Sequence, residues 1–488
     1  MNINKMTHNH RILLAVFLIF VSSFACVKDG TPVINGNSDD IRELVILYTN
    51  DEHGWIKKSD DYGGAAGMMG LWRQNEQFTE NSKFLVLSGG DVWTGPAIST
   101  WFKGESMIDV MNAMHYSAAA IGNHEFDFQV STLKARISQA NFPFVSANIR
   151  LKSNGQTPDF VQPYTIVEKN GVKIGIIGLT AMNTIYSAFP DYVKDYNFID
   201  YATAIRETVP AAKGAGAQLL IIVGHICKSE MAELSSVASE LGISLIGGAH
   251  CHEVVNEKVN GVQLIEAGSY LRNYVRVNIK FNMDKGNVES VTASVLPNQG
   301  STPDPTVAAT VATWEEKETE QLSEVIGYVQ NRIANGSTPM YNMIADSWLH
   351  AFPNADVSIS NTGGVRQSIE AGEITLGDIV GVLPFENSIV QLKLTGKQLK
   401  DSLNSSLFVG GMTTLNGYFL SDGSPLNDSQ SYTVLITDFI YSAYDQFARF
   451  DPAPYTSGVN WRQPLIDWIR SKNSSESNPL DQYLDNMD

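Results

Sequence analysis

The stretch Leu44-Val45-Ile46-Leu47-Tyr48-Thr49-Asn50-Asp51-Glu52-His53-Gly54 runs from unbroken apolar residues into a carboxylate and an imidazole. An apolar run without alternation reads as a strand buried on both faces. The polar cluster begins where that strand ends. Runs of the same kind recur at Phe84 to Leu87, Ala118 to Ile121, Phe142 to Ala147, Val172 to Leu179, Leu219 to Val223, Ile243 to Ile246, Val262 to Ile265 and Tyr274 to Phe281, several separated by helix-length segments. The expected fold class is α/β, a sandwich of strands with helices packed outside.

Four more polar clusters stand at predicted strand ends: Gly89-Gly90-Asp91, Gly122-Asn123-His124-Glu125-Phe126-Asp127, Gly224-His225 and Gly247-Gly248-Ala249-His250-Cys251-His252. In open α/β sheets the carboxyl ends of neighbouring strands converge on one crevice, so residues distant in sequence can line a single site. Five of the nine His fall in these clusters, whereas His115 and His350 lie on helix-like segments and read as packed or surface residues. One cluster alone is an ordinary turn or cap. Together they offer carboxylates, imidazoles and a carboxamide, a donor set suited to borderline divalent ions such as Zn, Mn, Co or Fe rather than to an all-thiolate or all-oxygen site.

In that order the clusters resemble the calcineurin-like metallophosphatase domain of the 5'-nucleotidase and UDP-sugar hydrolase family. The resemblance implies two divalent ions, with Zn, Mn or Co favoured. Asp51, His53 and His252 would hold one ion and Asn123, His225 and His250 the other, with Asp91 bridging; His124 with Asp127 matches the family's catalytic dyad. The implied architecture is a catalytic α/β sandwich over residues 42–300, a linking helix over 301–324 and an α+β nucleotide-binding domain over 325–488. The residues alone support the linking helix: Asp304-Pro305 offers an N-cap and a first-turn proline, and Val307, Val311 and Trp314 recur at helical spacing.

In the last region, Asn361-Thr362-Gly363-Gly364-Val365-Arg366 lets backbone approach an anion that Arg366 can grip. It resembles the family's substrate-domain motif, as do Gly372 to Asp378 and Leu383-Pro384-Phe385. Phe439 and Asp445 match the spacing of a base-stacking ring and a ribose-binding carboxylate. The position read for a second ring falls on Ile389, so stacking is expected to be one-sided. Tyr444 and Phe447 stand where the family has a glycine-rich turn, and Arg332 is out of register with an upstream phosphate-binding Arg. The implied substrate is a nucleoside 5'-monophosphate or a nucleotide sugar; a phosphodiester, a non-nucleotide ester and binding without turnover are the rival readings.

Composition is that of a globular protein, at 43% hydrophobic and 18% charged residues over 488. Lys plus Arg total 34 against 52 Asp plus Glu, a net charge of -18 that repels nucleic acid polymers and anionic membranes. An anionic substrate then needs local cations. Residues 1–25 read as a signal peptide, with Lys5 and Arg11 ahead of the apolar run Ile12 to Phe20. Cys26 after Ser23 and Ala25 reads as a lipidation site, residues 26–41 as a tether, and the location as extracytoplasmic. Cys227 and Cys251 flank the His clusters; their pairing is open, and as free thiols near the crevice they would be open to oxidation or soft-metal capture. Oligomeric state has no signature here.

Overall fold

The protein is described by a computed structural model over residues 39–80 and 82–484. The signal peptide, Cys26 and nearly all of the tether lie outside the described residues. Among those residues, no helix is long and apolar enough to cross a membrane.

Two six-stranded sheets form the first half. In one, β1 (Ile41–Thr49), β2 (Phe84–Ser88), β3 (Ala118–Ala120) and β4 (Phe144–Val145) are parallel, and β13 (Asn273–Asn282) and β14 (Asn287–Pro297) extend the β1 edge antiparallel. In the other, β7 (Val172–Leu179), β9 (Leu219–Gly224), β10 (Ile243–Gly247) and β12 (Val262–Ala267) form the parallel centre, flanked by antiparallel β6 (Tyr164–Lys169) and β11 (Val254–Val259). A two-stranded ribbon joins β5 (Ile149–Leu151) to β8 (Tyr196–Phe198).

Alternation within β1 explains its continuous hydrophobicity. Leu44, Ile46 and Tyr48 pack in a core shared with Ile174, Ile176 and Ile221 of the second sheet. Val45 and Leu47 instead join a cluster with Met68, Trp72 and Met107 of the flanking helices. Burial on both faces is thus satisfied by four layers, helix on sheet on sheet on helix. Every expected apolar run carries a strand, though Phe142 to Ala147 shortens to Phe144–Val145. The edge strands β6, β11 and β14 were not foreseen, because their half-exposed residues give no continuous apolar run.

The expected linking helix is Pro305–Leu322, and the Asp304 side chain accepts from the backbone N–H groups of Thr306 and Val307. Val307, Val311 and Trp314 are buried in the cluster that also holds Met68 and Met111, so this helix is packed as part of the first half. Beyond it, five strands run in the order Leu407–Gly410, Val357–Asn361, Ser431–Thr437, Ser388–Thr395, Tyr455–Asn460, with separate apolar clusters on their two sides. Residues 40–488 form one compact unit.

Candidate metal centre and reaction cavity

Five of the parallel strands of the first half deliver a polar cluster just past their carboxyl ends: Asp51 and His53 after β1, Asp91 after β2, Asn123 and His124 after β3, His225 after β9, His250 and His252 after β10. Backbone pairing continues beyond β1 and β2, since Asp51, His53 and Gly54 donate N–H groups to the carbonyls of Gly90, Asp91 and Val92 at 2.9–3.0 Å. Five of these side chains leave the ordinary backbone regions. Asp51, His53, Asp91, His250 and His252 have φ of 47°, 46°, 56°, 77° and 56°. Such conformations cost of order 1 kcal/mol each and persist where surrounding structure imposes them, often at functional sites.

Two groups of donor atoms result. His225 Nε2 lies 3.0 Å from Asp91 Oδ2, 3.1 Å from Asn123 Oδ1 and 3.1 Å from His250 Nδ1. His53 Nε2 lies 3.9 Å from both Asp51 Oδ1 and Asp91 Oδ2, and His252 Nε2 lies 3.3 Å from Asp51 Oδ1. Asp91 Oδ2 belongs to both groups. A carbonyl can only accept, so the Thr94 carbonyl 2.9 Å from His53 Nδ1 and the Gly89 carbonyl 3.1 Å from His225 Nδ1 fix the protons there and leave both Nε2 atoms basic. The His53 Nε2 is buried with no hydrogen-bond partner. An orphaned imidazole nitrogen between two carboxylates is what a cation site requires, so these residues fit a pair of divalent ions.

Surrounding groups hold this arrangement. The Asn50 carboxamide donates to Asp51 Oδ2 at 2.7 Å and the His250 N–H to the same oxygen at 3.0 Å. The Asn183 carboxamide stands 3.2 Å from His250 Nε2, leaving Nδ1 turned to His225. Buried Glu125 accepts from the N–H groups of Asp91, Val92 and Gly122 at 2.9, 2.9 and 2.5 Å, tying the loops after β2 and β3 together. Gly122 admits no side chain, since a Cβ there would lie 2.1 Å from Asp91 Oδ1. Neither Glu125 nor Asn183 was assigned a role from sequence; Glu125 sits inside a quoted cluster, while Asn183 carries no sequence signal.

His124 Nδ1 lies 2.7 Å from Asp127 Oδ2. Burial opposes a charge on this ring, but Asp127 and Asp91 outweigh it and raise its pKa above the usual 6.5. Burial likewise opposes ionisation of Asp91, yet His225 and His124 hold its carboxyl well below the usual range.

A cavity of about 420 Å³ opens over these groups, lined by His53, Asp91, Asn123, His124, Asp127, His250 and His252 and, from the second half, Asn361, Gly363, Gly364, Arg366 and Phe439. Asp51 and His225 sit fully buried beneath it. Two expectations need correction. Asp445 does not line the cavity; it begins the helix Asp445–Phe450 and is solvent-exposed. Ile389 is fully buried on a central strand and brings no ring to the cavity, which Phe385 lines instead with its ring stacked on His124. Cys227 and Cys251 form a disulfide across the loops after β9 and β10, which overturns the free-thiol reading although the expected proximity is right. Arg332 is engaged by Glu370 and Ser368 away from the cavity, Phe447 is core, and Tyr444 packs beside it. Phe189 and Tyr192, which also line the cavity, were missed because an aromatic residue near a proline looks like any loop anchor.

Strand-end carboxylates and imidazoles that could hold metal ions, facing an Arg- and Phe-bearing second half, are in keeping with a two-domain metallophosphoesterase. Residues 318–452 match the 5'-nucleotidase C-terminal domain family. The chain is 28% identical to a 5'-nucleotidase of Vibrio parahaemolyticus over 81% of this chain and 80% of that protein, and 26% identical to endonuclease YhcR of Bacillus subtilis over 88% of this chain but 40% of that one. A 5'-nucleotidase precursor from Thermus thermophilus shares the fold, with a TM-score of 0.75 at 21% identity over 89% of this chain and 97% of that one. The second half thus matches the 5'-nucleotidase C-terminal domain family, and the chain as a whole is similar to 5'-nucleotidases.

Proposed function

We propose that this chain releases inorganic phosphate from nucleoside 5'-monophosphates, and cleaves UDP-sugars, as an extracytoplasmic salvage enzyme held at a membrane by a lipid on Cys26. The carrying observation is Asp91 Oδ2, shared by two donor groups in the cavity that also contains Arg366 and Phe439. Asp51, His53, Asp91 and His252 would hold one divalent ion, and Asp91, Asn123, His225 and His250 the other. When bound, such a pair makes hydroxide available at neutral pH and neutralises phosphate charge.

The remaining work falls to side chains. Arg366 supplies a positive fork for phosphate oxygens. Asp127 and Asp91 favour the charged form of the His124 ring, and because Nδ1 is held by Asp127, the Nε2–H is the proton available to the leaving 5'-oxygen. Gly363 and Gly364 bring backbone to the cavity wall, and Phe385 and Phe439 offer ring faces to a base.

A second reading, hydrolysis of phosphodiesters, draws support from Asp445, the expected ribose contact, lying outside the cavity. Phosphate release from AMP, UDP-glucose, a cyclic nucleotide and ribose 5-phosphate, by chelated protein given Mn, Co or Zn, separates the readings. AMP is expected to turn over fastest and only after metal is restored. Faster cleavage of the cyclic nucleotide, or no turnover with any metal, would overturn the proposal.

A further inference from the structure

The candidate metal ligands are not held equally. Asp51, His53, Asp91, Asn123 and His225 are buried, where close packing fixes their side chains. His250 and His252 are partly exposed, with 31% of the His252 side chain in solvent, and both have left-handed backbones at φ 77° and 56°. Residues in a strained, partly exposed turn stay in place only where something besides packing over-determines them. Hydrogen bonds tie down the two ends of this turn: the Ala249 N–H donates to the Ile226 carbonyl at 3.0 Å, and the Glu253 N–H to buried Glu266 at 2.8 Å.

Between those ends stands Cys251, exposed at the cavity wall and flanked on either side by a candidate ligand, one for each ion. Its sulfur is bonded to that of Cys227, with the Cα atoms 5.2 Å apart. Cys227 belongs to the rigid side of the site. It follows fully buried His225 by two residues and stands at the N-cap of the helix Lys228–Glu240, where its N–H donates to Glu230 Oε2 at 2.9 Å. Met231 and Leu234 anchor that helix in the core.

We propose that the Cys227–Cys251 bond is a positioning element of the metal centre: it holds His250 and His252, one ligand of each ion, against the fixed loop that carries His225. This deepens the two-ion reading and rests on it. Without the bond each ion keeps buried ligands, Asp51, His53 and Asp91 for one and Asp91, Asn123 and His225 for the other. Its loss therefore weakens metal binding without abolishing it.

The test titrates Mn calorimetrically into three metal-stripped proteins: wild type, C227A/C251A, and wild type reduced while folded by a water-soluble phosphine, which takes oxygen from water as the two sulfurs become thiols. Mn dissociation constants are expected to rise about tenfold or more in both altered forms. Mn should also raise their melting temperatures by less than it raises that of wild type. A bond that acts only by restricting the unfolded chain would lower every melting temperature yet leave the affinity of the folded protein within about twofold of wild type, and that result would overturn the proposal. Should the alanine variant fail to fold, the reduced wild type decides on the same two readings. Absence of Mn uptake by wild type would instead remove the two-ion reading, and the positioning role with it.

Discussion

The two walls of the reaction cavity rest on different physics. On the catalytic side, Asp51, His53, Asp91, His250 and His252 follow parallel strands in left-handed backbone conformations imposed by neighbouring hydrogen bonds. On the other side, Asn361 has an ordinary extended backbone (φ -97°), Arg366 is half-buried, and Phe439 sits on the short helix Asp438–Ala443. One wall fixes geometry at a cost in strain. The other meets the substrate with unstrained, adjustable groups, so chemistry and selectivity are separable by mutation.

The largest effect should come from Asp91→Ala, because Asp91 Oδ2 serves both donor groups. Activity is expected to fall more than about a thousandfold, with loss of metal by elemental analysis. Retention of both ions would show that the two groups do not share this carboxylate. His124→Asn is next, lowering kcat about a hundredfold with metal content unchanged. Asp127→Asn sharpens the point: Asp127 raises the His124 pKa, so its loss should move the alkaline limb of the kcat profile to lower pH. A limb that stays in place would assign it to another group.

Arg366→Ala tests the adjustable wall. KM for AMP is expected to rise about ten- to a hundredfold while metal stays bound. A change confined to kcat would place Arg366 in the chemistry rather than in binding.

The smallest effect concerns stability. Burial pushes the Glu52 carboxyl up to about 8, against the pull of hydrogen bonds from Thr49 and Ser88. The fold therefore prefers the neutral acid, and that stability is present at low pH and lost as pH rises through about 8. Metal-stripped protein should melt at lower temperature at pH 8 than at pH 5, and Glu52→Gln should reduce the difference. An equal slope in wild type and variant would contradict this.

The same contrast decides what was legible in the sequence. A carboxylate or imidazole placed directly after a buried strand is conspicuous, because charge at the end of an apolar run needs a reason; Asp51, Asp91 and His225 announce themselves this way. Rings do not. Ile389 and Phe385 are both apolar residues near a turn, and only packing shows the first in the core and the second in the cavity. Asp445 had the right spacing, but spacing does not fix how a short helix turns. Positive φ at Asp and His leaves no compositional trace, since glycine alone advertises it. The Cys227–Cys251 pairing depends on two loops meeting in space, which sequence separation does not report.

The most direct test is an anomalous difference map from crystals soaked in Mn. Two peaks are expected on either side of Asp91 Oδ2, one reached by Asp51, His53 and His252 and the other by Asn123, His225 and His250. A single peak, or peaks that leave Asp91 unliganded, would contradict the two-ion centre on which the hydrolase account depends.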